Sequence, residues 1–228
     1  MIHRLVYLLV CTLFLFSACA TQKVFLAPPS DQIEEIEGYA SLRVTTHRQT
    51  ARSRVSFLFS LPTKGRIDVL GPLGQVHYQL FIVDTEAFFV VPAKKAYWQG
   101  QEKEILEKLF GFHLSLSDVV GLMSGYWSSL EPGKTQEEIA SWTFLKNRKG
   151  WIQSGKRGEF TFEVQEFFGQ TPWVQEVVFF HPQTEGRLKV LDVNFNQRVP
   201  EETFVTSFTK RYSQKTWEEI REILSNAR

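Results

Sequence analysis

The chain has 228 residues, 43% of them apolar and 22% charged, with a formal charge of +1. That composition excludes a disordered, collagen-like or low-complexity protein and is long enough for one domain with a sizeable core. A near-neutral charge also argues against a dedicated nucleic-acid binder, which needs a basic field to neutralise phosphates.

Residues 1–18 read as a secretory signal. Arg4 supplies the charged start, and Leu5–Phe16 is apolar except for Thr12. Twelve helical residues span roughly 18 Å against a hydrocarbon core of roughly 30 Å, too short to cross a membrane and suited to a signal peptide. Phe16-Ser17-Ala18-Cys19 then resembles a bacterial lipobox, with Phe where Leu is usual. In that motif the thiol receives diacylglycerol before cleavage. Ala18-Cys19-Ala20 also fits the small-x-small site of ordinary signal peptidase, which would release the chain after Ala20. The place of Cys19 directly after the apolar run, and its lack of any partner once Cys11 is removed, favour lipid attachment. Both cysteines lie within the first 19 residues, so disulfides, Cys-ligated zinc and thiol catalysis are excluded beyond them. The mature chain from Cys19 has 210 residues with 25 basic and 25 acidic side chains. Ala20 beside the anchor implies sorting to the outer membrane. Residues 19–37, with Pro28-Pro29, form the expected tether, and 38–228 the folded domain.

The domain opens with short stretches that alternate apolar and polar, the pattern of half-buried strands. Ala40, Leu42 and Val44 form one such set; Val55, Phe57, Phe59 and Leu61 a second; Ile67 and Val69 a third; Val76, Tyr78, Leu80 and Ile82 a fourth. A continuous apolar run, Phe88–Val91, closes the first half. Gln101–Phe110 carries Ile105, Leu106, Leu109 and Phe110 at helical spacing, with Gly111 as its stop. A second helix is expected from Ser117 as N-cap, burying Val119, Val120 and Met123 and ending before Gly125. Strands are expected again at Ala140–Leu145, Trp151–Ser154, Phe160–Val164, Val174–Phe180, Arg187–Phe195 and Phe204–Arg211. Thr216-Trp217-Glu218-Glu219 fits a capping box for a terminal helix near 216–227, with Trp217, Ile220, Ile223 and Leu224 as its apolar stripe.

About eleven strands joined mostly by hairpin-length turns imply antiparallel pairing. The expected class is therefore mostly β (α+β): a single curved antiparallel sheet, curled into an incomplete barrel around an apolar cavity and capped by short helices, with a C-terminal helix. Alternation places Leu42, Val44, Phe57, Phe59, Ile67, Val69, Tyr78, Leu80, Phe160, Phe162, Val164, Leu191 and Val193 on the inward face. Leu106, Leu109, Val120 and Met123 complete the set from the middle helices. The 20 Phe suit such an interior.

Catalytic constellations are missing from the motif inventory. His47, His77, His113 and His181 show no metal-ligand spacing. Gly133-Lys134-Thr135 is the end of a phosphate-loop pattern, but Ser128 stands where the earlier Gly belongs. No isolated carboxylate pair marks an acid and base. An enzyme is not expected, nor a cofactor or metal. The basic clusters Lys146-Arg148-Lys149 and Lys156-Arg157 read as solvated turns, or as contacts for anionic lipid or an acidic partner. Gly71-Pro72-Leu73-Gly74 isolates a leucine between turn residues. It is either folded under the sheet or pushed into water.

Arg66–Gly74, then Phe110–Leu116, then Leu122-Met123-Ser124-Gly125 resemble the LolB family of outer-membrane lipoprotein receptors. The likeness covers residues 38–200 in layout, with its specific residues in 66–125. Ser115 stands where the family has Pro, Val119–Met123 lacks the family's Trp, and 204–228 form an added tail. The resemblance implies a receptor anchored at Cys19 in the outer membrane of a Gram-negative-type bacterium, facing the periplasm. It implies that acylated lipoproteins pass from a LolA-like carrier into the cavity lined by the inward set, beneath a lid at 102–125, and on into outer-membrane lipid. Leu73, presented by Gly71, Pro72 and Gly74, would be its membrane-inserting residue. A monomer is expected. The alternative is a lipid-anchored envelope module of the same fold that binds another amphiphile or scaffolds a complex.

Overall fold

Alternating apolar residues produce six antiparallel strands in chain order: β1 (Glu35–Thr46), β2 (Thr50–Ser60), β3 (Lys64–Leu70), β4 (Val76–Val83), β5 (Glu86–Val91) and β6 (Ala96–Gln101). Helices α1 (Glu102–Phe110) and α2 (Leu116–Ser124) follow. A second meander contains β7 (Thr143–Lys146), β8 (Ile152–Arg157), β9 (Phe160–Phe167), β10 (Val174–His181) and β11 (Thr184–Phe195). A two-residue strand β12 (Ser213–Gln214) and helix α3 (Trp217–Ser225) end it. This computed structural model describes residues 33–46, 49–112, 114–125, 127 and 142–226. The signal, Cys19, most of the tether, His47, His113 and Gly133-Lys134-Thr135 lie outside the described residues.

Pairing of β1 with β11 joins the two meanders into one sheet of twelve strands, ordered β12-β6-β5-β4-β3-β2-β1-β11-β10-β9-β8-β7. It is curved and open, with short strands of two and four residues at its edges, which limits the unpaired backbone on offer. Four cross-strand pairs join a glycine to a phenylalanine: Gly38 to Phe57, Gly65 to Phe59, Gly155 to Phe162 and Gly186 to Phe179. A Cβ at any of these glycines would run into the ring opposite, and at Gly65 into Leu116 as well. Each ring therefore lies across bare backbone, and the sheet bends over it.

The expected strands and helices form with local corrections. β1 starts at Glu35, inside the expected tether, because Ile33 and Ile36 are already core. Strand β6 was not legible from alternation: Ala96, Tyr97 and Trp98 are all buried, so its sequence carries no period. The cap of α2 is Ser115, not Ser117. Asp118 sits three residues after it, and the two close a capping box. Phe204–Arg211 is not a strand but two 3-10 turns, Glu201–Phe204 and Ser207–Lys210. Phe208 there packs on Phe81, Phe88 and Tyr97, so this segment straps the outer face of β4–β6. That explains the unbroken run Phe88–Val91, which is buried on both faces. The strap then delivers β12 beside β6 in parallel, the one departure from antiparallel pairing in the described sheet. Beyond it, α3 lies on the inner face, with Trp217 edge-on to Phe89 and Trp98. Its capping box forms as expected, and the Lys215 ammonium and the Thr216 N–H hold the Glu219 carboxyl below the usual range.

Leu191 corrects the inward set. Tyr39 pairs with Asp192 but Ala40 pairs with Val190, so Leu191 is the extra residue of a bulge and parity flips there. Gly186, Leu188 and Val190 face in before the bulge and Val193 after it, while Leu191 is 48% exposed. In urea denaturation Leu188→Ala is expected to cost about 2–5 kcal/mol and Leu191→Ala less than about 0.5 kcal/mol. Equal losses would refute the bulged register.

Candidate functional site

The inner face is covered unevenly. Helices α1 and α3 sit on the β5–β6 half, burying Ile105, Leu106 and Ile220 completely. Helix α2 lies over β10 in the other half. Between α2 and the sheet is a cavity of about 100 Å³. Leu42, Val55 and Ile67 line it from β1–β3, and Phe160, Val177, Phe179 and Leu188 from β9–β11. Phe112, Leu114, Val119, Leu122 and Met123 form its roof. Every one of these side chains is apolar, so a bound group would gain contact and desolvation but no hydrogen bond.

Four members of the inward set, Leu42, Ile67, Phe160 and Met123, line this space. Phe57, Phe59, Leu80, Leu106, Val120, Phe162, Val164 and Val193 are packed core instead. Val44, Val69, Tyr78 and Leu109 are half-buried against that core. Alternation identifies the face but not which side chains meet a neighbour. Val55 shares the β2 alternation, whereas Phe112 and Leu114 sit in the irregular link between α1 and α2, where no period marks them.

A polar anchor holds α2 at its first turn. Asp118, 3% exposed, takes an ion pair from Arg157 at 2.9 Å and a hydrogen bond from the Trp142 Nε1–H at 2.9 Å. It also accepts from the Ser115 N–H at 2.7 Å, and the Arg157 guanidinium lies 4.7 Å over the Trp142 ring. The carboxylate also favours the positive N-terminal end of the helix. Glu102 of α1 accepts from the Leu116 N–H, tying the two helices together. Gly111 and Gly125, both with φ near +80°, bracket the α2 segment, where a Cβ would be strained.

At the end of the sheet formed by the β3–β4 hairpin, Gly71-Pro72-Leu73-Gly74 makes a tight turn. Gly74 N–H donates to Gly71 O at 2.9 Å and Gly71 N–H to Gln75 O at 2.8 Å. Leu73 N–H donates to the Gln75 side chain at 3.1 Å, and Gly74 has φ +80°. The backbone is satisfied locally and the Leu73 side chain is 93% exposed. Of the two possibilities for this leucine, the structure shows the projecting one. Val69 pairs with Tyr78 just behind the turn, so a strip of half-buried apolar side chains runs from Leu73 toward Ile67 and the cavity.

The basic turn around Lys146–Lys149 lies at the opposite end, with Lys149 over Trp151 and bonded to Gln170. Lys156 is exposed, while Arg157 serves α2. His77 bonds Gln75 and His181 packs against Phe112 with the rings tilted. Among the described residues no helix is long and apolar enough to cross a membrane. Asp118→Ala would remove the buried carboxylate that takes the Arg157 ion pair and the Trp142 and Ser115 hydrogen bonds, and is expected to cost about 3–5 kcal/mol. Denaturant unfolding checks it, and a loss under about 1 kcal/mol would show that apolar packing alone holds α2.

No family model and no curated protein matches the sequence. Solved structures match the fold. A LolA superfamily protein from Nitrosomonas europaea superposes with TM-score 0.53 at 8% identity, covering 77% of this chain and 91% of that one. A DUF1329 family protein from Desulfovibrio piger gives 0.52 at 10%, covering 78% and 92%. An outer membrane lipoprotein-sorting protein domain from Vibrio parahaemolyticus gives 0.49 at 9%, covering 80% and 92%. The chain thus shares its curved, open-sheet fold with the first two of these proteins.

Proposed function

We propose that the protein is a lipid-anchored outer-membrane receptor that takes acylated lipoproteins from a periplasmic carrier and passes them into the membrane. The projection of Leu73, at the end of the sheet from which an apolar strip leads to the cavity, carries this reading. The fold and the sequence resemblance to LolB support it.

An acyl chain of about sixteen carbons gains roughly 13 kcal/mol on leaving water, at about 0.8 kcal/mol per methylene. The free volume of about 100 Å³ is below the roughly 150 Å³ in which an apolar cavity holds benzene. Cargo entry therefore requires α2 and the Phe112–Leu114 link to move outward. Carrier, receptor and bilayer all shelter the chain, so direction comes from differences in affinity, with no nucleotide consumed. Leu73 in the membrane interface adds about 1.5–3 kcal/mol, too little to anchor the protein but enough to hold the cavity against the lipid where cargo leaves.

The anchor fits this orientation. β3 runs about 20 Å from Lys64, beside the start of β1, to Leu70 at the turn. Residues 19–32 reach up to about 50 Å when extended, so a lipid on Cys19 leaves Leu73 free to meet the same membrane. A second reading, an envelope module with a solid interior, is favoured by how nearly full the inner face is.

Leu73→Glu is expected to keep the fold and the binding of a fluorescent acyl probe, yet slow delivery of a lipoprotein to liposomes severalfold, with a distant exposed apolar residue changed to Glu as control. Normal delivery by a folded Leu73→Glu protein would remove the receptor reading. A wild type with no saturable probe binding would favour the solid module. Intact mass gives a further check: the mature N-terminus should be a diacylated Cys19, and an unmodified start at Thr21 would show ordinary signal cleavage.

A further inference from the structure

Three arginines on the outer face stand at the same end of the sheet as Leu73. Leu42 and Val44 pack inward, which turns Arg43 outward, and buried Val55 does the same for Arg54 and Arg52. All three are exposed. Among the described residues none of the three side chains has an ion-pair or hydrogen-bond partner. Their neighbours differ: Arg187 pairs with Glu176 at 2.9 Å, and Lys189 shares Glu176 and Glu166.

Register makes the arrangement stranger. Arg43 is directly opposite Arg52 on one side and Arg187 on the other, a like-charge row that works against sheet pairing. Arg54 is opposite Leu70, the residue before the Gly71–Gly74 turn. Arg52, two residues farther along β2, is level with the turn itself. With strands about 4.8 Å apart, Arg52 and Arg43 stand roughly 5–10 Å to the side of it. Unpaired guanidinium groups and a 93% exposed leucine therefore share one rim of the sheet.

We propose that Arg43, Arg52 and Arg54 form a docking site for the phosphate headgroups of an anionic membrane, engaged as Leu73 enters the interface. This rests on the reading of Leu73 as the membrane-inserting residue. Guanidinium groups bind phosphate oxygens in paired hydrogen bonds, and a row spaced by the strand repeat presents them to a plane of headgroups. An apolar finger beside the row points to a bilayer rather than an acidic protein. The mature chain carries equal numbers of basic and acidic residues, so attraction to an anionic surface has to come from a local patch. The row and Leu73 together set how the cavity end meets the lipid, which a lipid on Cys19 by itself does not.

The test uses the exported, unlipidated Cys19→Ala chain, floated with phosphatidylcholine vesicles with and without phosphatidylglycerol, at low and high salt. The wild type should partition onto the anionic vesicles and leave them as salt rises. Arg43→Gln, Arg52→Gln and Arg54→Gln together should lower that partition on the order of 100-fold, about fivefold for each charge removed, and Lys at the three positions should recover most of it. Thermal unfolding of the triple variant should be unchanged or higher, since it removes like-charge contacts. If it melts lower, the single variant Arg52→Gln is read for its fivefold loss. Leu73→Glu should keep the salt dependence while losing penetration into a lipid monolayer. Binding that ignores salt and phosphatidylglycerol but disappears with Leu73→Glu would overturn the arginine site and leave the Leu73 reading intact. Salt-dependent binding lost in the triple variant, with Leu73→Glu inert in the monolayer, would sustain the site and remove that reading. Arginine-dependent binding of polyglutamate without binding to either vesicle would overturn the proposal in favour of an acidic protein partner.

Discussion

The structure depends on one packing constraint: a sheet of twelve strands with a continuous apolar face has to bend until that face is covered. Cross-strand glycine–phenylalanine pairs supply the bend. At Gly38, Gly65, Gly155 and Gly186 the missing side chain lets the opposite ring lie across backbone, where a methyl group would force it away. Rings laid down this way fill the concave side with little void and supply the area burial that holds an open sheet together. The unusual number of phenylalanines is thus a consequence of curvature as well as of hydrophobicity.

Curvature alone does not cover the inner face, and the two halves are finished differently. Over β5–β6 the C-terminal strap and α3 enclose the sheet from both sides, with Phe208 outside and Trp217 inside. That half is solid. Over β9–β11 the cover is α2, apolar toward the sheet and held at its first turn by the Asp118–Arg157–Trp142 group. The all-apolar cavity lies there, on the side whose cover rests on one helix, whereas the hollow beside α3 is lined by Lys94, Lys215, Glu219 and Glu222.

Energy scales then separate what can move from what cannot. Displacing the aromatic packing under α3 would expose several large rings at about 1.5–3 kcal/mol each, with nothing to cover them again. Lifting α2 breaks one ion pair and its hydrogen bonds, a few kcal/mol, and exposes its apolar roof, at about 1.5–3 kcal/mol for each large side chain left uncovered. Burying an acyl chain of about sixteen carbons is worth roughly 13 kcal/mol relative to water, similar in size to that cost, and the chain itself re-covers the apolar roof it displaces. A cavity too small for its proposed ligand is consistent with a cover that yields on that side.

Much of this was legible in the residues themselves. Period-two alternation at Leu42–Val44, Val55–Phe59 and Phe160–Val164 determined strands and their inward faces, because a one-sided sheet cannot bury the wrong parity. The Thr216–Glu219 capping box determined the start of the last helix, since its hydrogen bonds are local. The isolated Leu73 raised the possibility of a projecting turn, but only the folded hairpin decided it, since exposure depends on what the rest of the chain leaves uncovered. Leu191 was misplaced because a bulge shifts parity without a mark in the sequence. Tyr97 and Trp98 carried no period because tertiary cover arrives on both faces of β6, from strap and helix. The alignment of Arg43 with Arg52 and Arg187, and of Arg43, Arg52 and Arg54 with the Leu73 rim, belongs wholly to the tertiary structure, because register between β11, β1, β2 and β3 brings together residues that local chemistry never relates.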